Sequence, residues 1–96
     1  MLCDESLLID LRAVMARLPD DAVLVLHMIG SHGPAYYQRY PDTFRCFMPT
    51  CDTNQIQQCT NKQLRNTYDN TVLYTDHILA ELIRLLQTDT SLASAV

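Results

Sequence analysis

The chain has 96 residues, 48% of them hydrophobic, and 11 acidic against 7 basic side chains give it a formal net charge of −4. This length fits one small domain, and the hydrophobic fraction is too high for a disordered chain. Because binding to a nucleic acid duplex usually needs a basic patch, the charge argues against nucleic acid as the main partner.

The N-terminal segment predicts an amphipathic helix. Its first residues, MLCDESLLID, lack the basic start and the long apolar core of a signal peptide. Apolar residues at helical spacing form one stripe over residues 4–18: Leu7, Leu8, Leu11, Val14, Met15 and Leu18. Pro19 ends the helix. No run of about 18 apolar residues exists in the chain, so the sequence predicts no transmembrane helix.

The next segment, AVLVLH at residues 22–27, predicts a strand that is buried on both faces, because it is a short, continuous and partly β-branched apolar run. Ligands of open α/β sheets bind beyond the carboxyl ends of the strands. The loop that follows holds both glycines of the chain, with His32 between them. Glycine lets a backbone turn sharply beside a ligand. His32 is therefore a candidate site residue, whereas His27 is expected to belong to the packing of the strand.

Residues 36–40, YYQRY, admit two interpretations. The guanidinium fork of Arg39 matches phosphate oxygens, so Arg39 and Tyr36 form a candidate substrate loop. The alternative is an amphipathic surface turn whose tyrosines pack on the domain, and the sequence favours this alternative.

Four cysteines are many for so short a chain: Cys3, Cys46, Cys51 and Cys59. No CxxC pair is present, which argues against a zinc ribbon or a thioredoxin-like motif. Cys51 and Cys59 bracket a polar loop, and this spacing favours a disulfide that would stabilise the chain by roughly 2–3 kcal/mol. Such a bond would indicate an oxidising compartment. Unpaired thiols in a cytosolic protein are the alternative.

The longest regular pattern covers residues 61–87 and predicts a long helix. Thr60 and Gln63 have the spacing of a capping box, and Glu81 and Arg84 are expected to pair on the solvent face. A parallel sheet needs several strands, and the chain offers one. The order helix, strand, loop and long helix therefore predicts an incomplete α/β domain.

Three segments carry a family resemblance: LHMIGSHGPAYYQRYP, FMPTCDTNQIQQC and NTYDNTVLYTDHIL. In this order and at this spacing they resemble the phosphoethanolamine transferases of Gram-negative inner membranes, which include lipid A modifying and mobile colistin-resistance enzymes. Those enzymes belong to the sulfatase-like, alkaline-phosphatase-type superfamily. The resemblance covers essentially the whole chain. It implies that residues 1–96 are an incomplete piece of a sulfatase-like α/β sandwich.

The resemblance implies a membrane-anchored enzyme with a periplasmic catalytic domain. Such an enzyme moves phosphoethanolamine from phosphatidylethanolamine to lipid A or a related glycan, through a phospho-threonine and zinc. By position, His32 is expected near the substrate phosphate and an accessory zinc ion. Cys51 and Cys59 match a family disulfide, and Cys3 matches a cysteine whose partner lies upstream. Cys46 has no counterpart, so it is expected to be a free thiol or to compete for Cys3.

Other parts of the family pattern have no match in this chain. The nucleophilic threonine with its zinc-binding glutamate is expected upstream, and a zinc-binding Asp-His pair is expected just after Val96. The transmembrane helices of the family have no match either. Two other interpretations stay open. One is a non-catalytic, disulfide-stabilised interaction protein that kept this segment, and the other is a phosphoglycerol transferase of the same superfamily.

We predict that the isolated 96-residue chain is inactive and poorly folded, because it holds one wall of a site without the nucleophile or the primary metal ligands. Assays of phosphoethanolamine transfer by the purified chain and of its unfolding in urea check this prediction. Detectable transfer would contradict the first half, and a cooperative unfolding transition the second.

Overall fold

The computed structural model describes residues 4–88, so Cys3 lies outside the described residues. Its two α-helices are α1, Leu11–Ala16, and α2, Asn61–Thr88. Four short 3₁₀ helices complete the described elements: Asp4–Leu8, Tyr36–Gln38, Asp42–Phe44 and Ile56–Gln58. The helix predicted over residues 4–18 is therefore divided into a 3₁₀ helix and the short helix α1.

The strand predicted at residues 22–27 does not form in this part of the chain. No strand is present among residues 4–88. Val23 and Val25 are 91% and 78% exposed, so the predicted burial is also absent. A strand needs the N–H and C=O groups of a neighbouring strand as partners, and the described residues supply no such neighbour. The apolar run over residues 22–27 indicates that its side chains are meant to be buried, and the other described residues do not cover them.

Helix α2 begins at the capping box that the sequence predicts. The Thr60 N–H donates to Gln63 Oε1 at 2.8 Å, and the Gln63 N–H donates to Thr60 Oγ1 at 3.1 Å. The predicted pair of Glu81 and Arg84 also forms, on the exposed side of the helix. Both predictions are confirmed. Within residues 4–88, no helix combines the length and the apolar character needed to cross a membrane.

One face of α2 buries polar side chains, and we call these four residues the polar stripe: Thr67, Asn70, Thr71 and Tyr74. Their exposed fractions are between 0% and 1%. Residues three and four positions apart lie on the same face of a helix. Each member of the stripe makes a hydrogen bond to a segment outside the helix. The stripe therefore attaches the loops of the chain to α2.

Asn70 uses both ends of its amide group to hold the loop before Pro49. Its Oδ1 accepts the N–H groups of Cys46 and Phe47, at 3.1 and 2.9 Å. Its Nδ2 donates to the Phe47 carbonyl at 3.1 Å and to the Tyr40 hydroxyl at 3.3 Å. Because two N–H groups face one end and two oxygens face the other, the hydrogen-bond network fixes the orientation of the amide.

Thr67 and Tyr74 hold two further segments. The Thr67 hydroxyl accepts the Cys51 N–H at 2.6 Å and donates to the Gln63 carbonyl at 2.8 Å. The Tyr74 hydroxyl accepts the Glu5 N–H at 3.2 Å. The loop that begins at Cys51 and the N-terminal 3₁₀ helix are thus both anchored to the same helix.

The predicted disulfide is confirmed. Cys51 and Cys59 form a disulfide, with an S–S distance of 2.03 Å. Cys46 is a free, exposed thiol. The bond closes the polar loop directly before α2, at the point where the Thr67 hydroxyl holds the backbone of Cys51.

Arg45 ties together the loop between Tyr40 and the disulfide. It donates to Asp52 Oδ2 at 3.0 Å and to Thr50 Oγ1 at 3.2 Å, and it forms a longer contact of 3.4 Å with Asp42. The hydrogen bond to Asp52 raises the pKa of Arg45 above its ordinary value, while burial acts in the opposite direction. The guanidinium therefore stays charged, and the loop keeps this ionic contact.

The apolar core is small. Tyr40, Tyr74 and Ile78 form its buried centre, and Leu8, Met28 and Phe44 pack against it. Large hydrophobic side chains stay exposed along the opposite side of α2, at Tyr68, Val72, Leu79 and Ile83. The polar stripe therefore adds directional contacts between α2 and the loops to those of this small core.

We predict that Thr60→Ala weakens the start of α2 by about 1 kcal/mol, because it removes the hydroxyl that accepts the Gln63 N–H. Far-ultraviolet circular dichroism of an acetylated peptide spanning residues 60–88 should show lower helicity. Lys62→Ala is the matched control, since Lys62 is an exposed residue in the same turn. Equal helicity in the two variant peptides would contradict the capping role of Thr60.

Candidate functional site

The candidate site is built on residues 29–33, which we call the His32 turn. Asp4, which is 5% exposed, accepts the Ile29 N–H at 2.8 Å through one carboxyl oxygen and the Gly30 N–H at 2.7 Å through the other. The His32 N–H donates to the Ile29 carbonyl at 3.1 Å and closes the turn. Asp4 thus holds the backbone just before His32.

Both glycines of the His32 turn meet a specific structural demand. Gly30 has a φ of +58°, a left-handed conformation that other L-residues adopt with strain. At Gly33 an added Cβ would lie 2.6 Å from atoms of the Tyr36 side chain. The sharp turn that the sequence predicts around His32 is therefore confirmed.

Ser31 attaches the His32 turn to the polar stripe. Its Oγ lies 2.6 Å from Thr71 Oγ1. The Thr71 hydroxyl donates its proton to the Tyr68 carbonyl, also at 2.6 Å. A hydroxyl has a single proton, so Ser31 must donate in the contact with Thr71. The Ser31 hydroxyl thus connects the turn to the helix.

The His32 imidazole has one nitrogen engaged and one available. Its Nδ1 lies 2.8 Å from the Gly33 carbonyl oxygen. Because a carbonyl oxygen only accepts hydrogen bonds, Nδ1 carries the proton in this contact. The neutral ring then offers the Nε2 lone pair to a metal or a proton, and the charged ring offers an Nε2–H to an anion.

An open cleft of about 390 Å³ adjoins His32, and its lining residues are His27, Met28, Ile29, His32 and Arg39. No carboxylate belongs to that lining, so the ionisable groups there are two imidazoles and a guanidinium. This chemistry suits an anion such as a phosphate group. The prediction that His27 packs within a strand is wrong among the described residues, because His27 is exposed and borders the cleft.

The tyrosines beside the cleft pack on the domain. Tyr40 is 2% exposed and bonds to Asn70 in the core. The Tyr36 ring meets the Tyr68 ring edge to face, with their centroids 5.7 Å apart. The packing interpretation of the YYQRY segment holds for these tyrosines. A substrate role for Tyr36 or Arg39 stays a prediction.

A complete metal site is absent from the described part of the chain. Among residues 4–88, no group of three or more His, Cys, Asp and Glu side chains comes together to hold a metal ion. The free Nε2 of His32 could serve as one ligand of a zinc ion, since zinc binds neutral imidazole nitrogen. The expected contact of His32 with an accessory zinc ion stays a prediction.

Asp4 and Ser31 are the site residues that sequence reasoning missed. Asp4 is separated from Gly30 by 26 positions, and Ser31 from Thr71 by 40. Local patterns cannot connect residues so far apart. The helical spacing of the four residues of the polar stripe is a sequence signal that could have indicated a polar face on α2, and sequence reasoning missed it as well.

The chain belongs to the sulfatase family, because the family model described as Sulfatase matches residues 2–96. Within this family it is similar to phosphoethanolamine transferases, as the sequence resemblance predicts. Phosphoethanolamine transferase EptA of Escherichia coli (strain K12) is 57% identical over 84 residues, which are 88% of this chain and 15% of that relative.

Two solved structures agree with that similarity. The C-terminal periplasmic domain of phosphoethanolamine transferase EptC from Campylobacter jejuni matches with a TM-score of 0.82 and 53% identity, over 88% of this chain and 28% of that one. The soluble domain of lipooligosaccharide phosphoethanolamine transferase A from Neisseria meningitidis matches with a TM-score of 0.86 and 52% identity, over 91% of this chain and 26% of that one. The chain thus spans a small part of each of these proteins.

We predict that Asp4→Ala loosens the His32 turn, because it leaves the N–H groups of Ile29 and Gly30 without their acceptor. The host is the Neisseria meningitidis soluble domain with residues 4–88 of this chain in place of the matched segment, which we call the soluble-domain chimera. Amide hydrogen exchange at Ile29 and Gly30 should accelerate roughly tenfold or more, as expected for the loss of bonds to a charged acceptor.

The control for this measurement is Asp10→Ala. Asp10 is exposed and makes no side-chain cap bond at the start of α1, so its removal should leave exchange in the His32 turn unchanged. Unchanged exchange in the Asp4→Ala variant would contradict the anchoring role of Asp4.

Proposed function

We propose that this chain is part of a zinc-dependent transferase that moves phosphoethanolamine from phosphatidylethanolamine to lipid A or a related envelope glycan. The similarity to EptA and to the EptC domain supports the transferred group. The lipooligosaccharide enzyme of Neisseria meningitidis supports the class of acceptor. On this proposal the catalytic domain lies in the periplasm and is anchored in the inner membrane. The periplasmic EptC domain supports the location, and the integral membrane enzyme of Neisseria meningitidis supports the anchor.

The observation that carries the proposal is the direction of the His32 ring. Its Nδ1 is held by the Gly33 carbonyl, and the cleft beside it contains Arg39 and no carboxylate. Phosphoryl transfer depends on positive groups and hydrogen-bond donors that are already in place around the phosphate oxygens. We infer that the transferred phosphate occupies this cleft, with His32 Nε2 toward one of its oxygens.

The residues of the chain act by binding and orientation in this proposal. When its ring is charged, His32 donates a hydrogen bond to a phosphate oxygen. When the ring is neutral, Nε2 would coordinate an accessory zinc ion. Zinc supplies activation of the nucleophile and neutralisation of phosphate charge. The threonine that carries the phosphoethanolamine intermediate, and the primary zinc ligands, belong to parts of the enzyme outside the described residues.

The proposal also includes the sulfatase-like sandwich. In the complete domain, residues 22–27 would pair with neighbouring strands, which would bury the side chains of Val23 and Val25. Their large exposure in this chain supports that inference, because two apolar side chains two positions apart are costly to leave in water.

We predict that this segment supports transfer inside a full-length relative. The host is Escherichia coli EptA with its matched segment replaced by that of this chain, which we call the EptA chimera; the two segments are 57% identical. Expressed in a strain without its own enzyme, the chimera should add phosphoethanolamine to lipid A, as measured by mass spectrometry. His32→Ala should lower this transfer by roughly 10–100-fold, the usual effect of losing a residue that supports a metal or phosphate site.

The matched control is Gln38→Ala, since Gln38 is exposed nearby and does not line the cleft. Full activity of the His32→Ala chimera would exclude the proposed role of His32. A folded, membrane-inserted chimera without activity would favour the non-catalytic interaction protein. Transfer of phosphoglycerol in place of phosphoethanolamine would favour the other branch of the superfamily.

A further inference from the structure

Arg39 lies at the opposite end of the His32 turn from Asp4. Its Nε–H donates to the His32 carbonyl at 2.9 Å. Asp4 accepts the N–H groups of Ile29 and Gly30 at the beginning of the turn. An acidic side chain therefore holds the backbone donors before His32, and a basic side chain holds the backbone acceptor at His32.

We propose that Arg39 is a positioning residue for His32, and that it acts through its Nε–H rather than through its charge. The inference rests on the proposed function, in which His32 contacts the transferred phosphate. By holding the His32 carbonyl, Arg39 would fix the direction of the imidazole and so keep Nε2 toward the cleft.

The path from Arg39 to the imidazole passes through one peptide group. The His32 carbonyl belongs to the planar peptide that joins His32 to Gly33, so holding this oxygen fixes the plane of the whole group. Gly33 then carries the carbonyl that accepts the His32 Nδ1–H at 2.8 Å. That carbonyl lies in the next peptide group, across the φ and ψ of Gly33, and glycine allows these angles a wide range. By holding the plane of the His32–Gly33 peptide, the Arg39 bond removes one rotation that would carry the Gly33 carbonyl away from the ring.

Arg39 is itself held in place by the fold. Its N–H donates to the Tyr36 carbonyl at 3.0 Å, at the end of the 3₁₀ helix Tyr36–Gln38. The next residue, Tyr40, is buried in the core and bonds to Asn70. The backbone from which the guanidinium extends is therefore anchored to α2 through the polar stripe.

The positive charge of the Arg39 guanidinium offers a second explanation, which is direct binding of the phosphate. Within residues 4–88 no carboxylate pairs with Arg39, and the side chain lines the cleft. A bound phosphate would interact with that charge. The decisive question is therefore whether the activity depends on the Nε–H or on the positive charge.

Three substitutions separate the hydrogen bond from the charge. Arg39→Gln places a neutral N–H donor at the same distance along the side chain as Nε. Arg39→Lys keeps the charge but has a methylene group at that position, and Arg39→Met has neither the donor nor the charge. A positioning role predicts that Gln is tolerated while Lys and Met are not.

The first measurement is the steady-state kinetics of phosphoethanolamine transfer by the EptA chimera. Arg39→Met and Arg39→Lys should lower kcat by roughly 10–100-fold with KM nearly unchanged, and Arg39→Gln should retain most of the activity. Arg65→Met is the control, because Arg65 is an exposed arginine on α2 away from the cleft. A raised KM in the Gln and Met variants, with Lys active, would overturn the proposal and assign Arg39 to charge-based binding of the phosphate.

The second measurement does not depend on activity. In the soluble-domain chimera, amide exchange at His32, whose N–H donates to the Ile29 carbonyl, should accelerate in the Arg39→Met variant and stay unchanged in Arg39→Gln. If the EptA chimera is inactive, the proposed function fails, and this exchange comparison still decides the positioning role. Exchange that is equal in the Met variant and the unsubstituted chimera would overturn it.

Discussion

The structure depends on the hydrogen bonds that the polar stripe of α2 makes to the backbone of its loops. Burial of apolar surface is non-directional, and the apolar core here is small. Hydrogen bonds are directional, and a buried donor or acceptor that loses its partner costs about 1–3 kcal/mol. Four buried side chains at helical spacing therefore specify where the loops lie: Thr67, Asn70, Thr71 and Tyr74.

Two adjacent members of the stripe connect the helix to the two sides of the candidate site. Thr71 accepts the hydroxyl of Ser31, the residue before His32. Asn70 donates to the hydroxyl of Tyr40, the residue after Arg39. The bond from Arg39 to the His32 carbonyl then joins the two sides at the cleft. Short chains of hydrogen bonds thus hold the His32 imidazole in a fixed position relative to helix α2. A pre-organised phosphate site needs donors that are held in this way.

Features that depend on residues close together in the chain could be predicted from the sequence. The capping box joins residues three positions apart, as does the pair of Glu81 and Arg84, and the disulfide joins residues eight apart. The strand over residues 22–27 could not be predicted correctly for this chain, because its existence depends on neighbours that its own composition does not supply. The N-terminal helix was predicted too long for a related reason: Asp4 and Glu5 bond to the His32 turn and to α2.

The sequence by itself determined the family resemblance and the identity of His32 as a candidate, because short motifs retain the residue types that a site requires. Only the tertiary structure decided which nitrogen of His32 is free, and that Asp4 and Arg39 hold its backbone. The physical reason is distance along the chain. Asp4 meets Ile29 across 25 positions and Ser31 meets Thr71 across 40, and only folding brings such residues within hydrogen-bond distance.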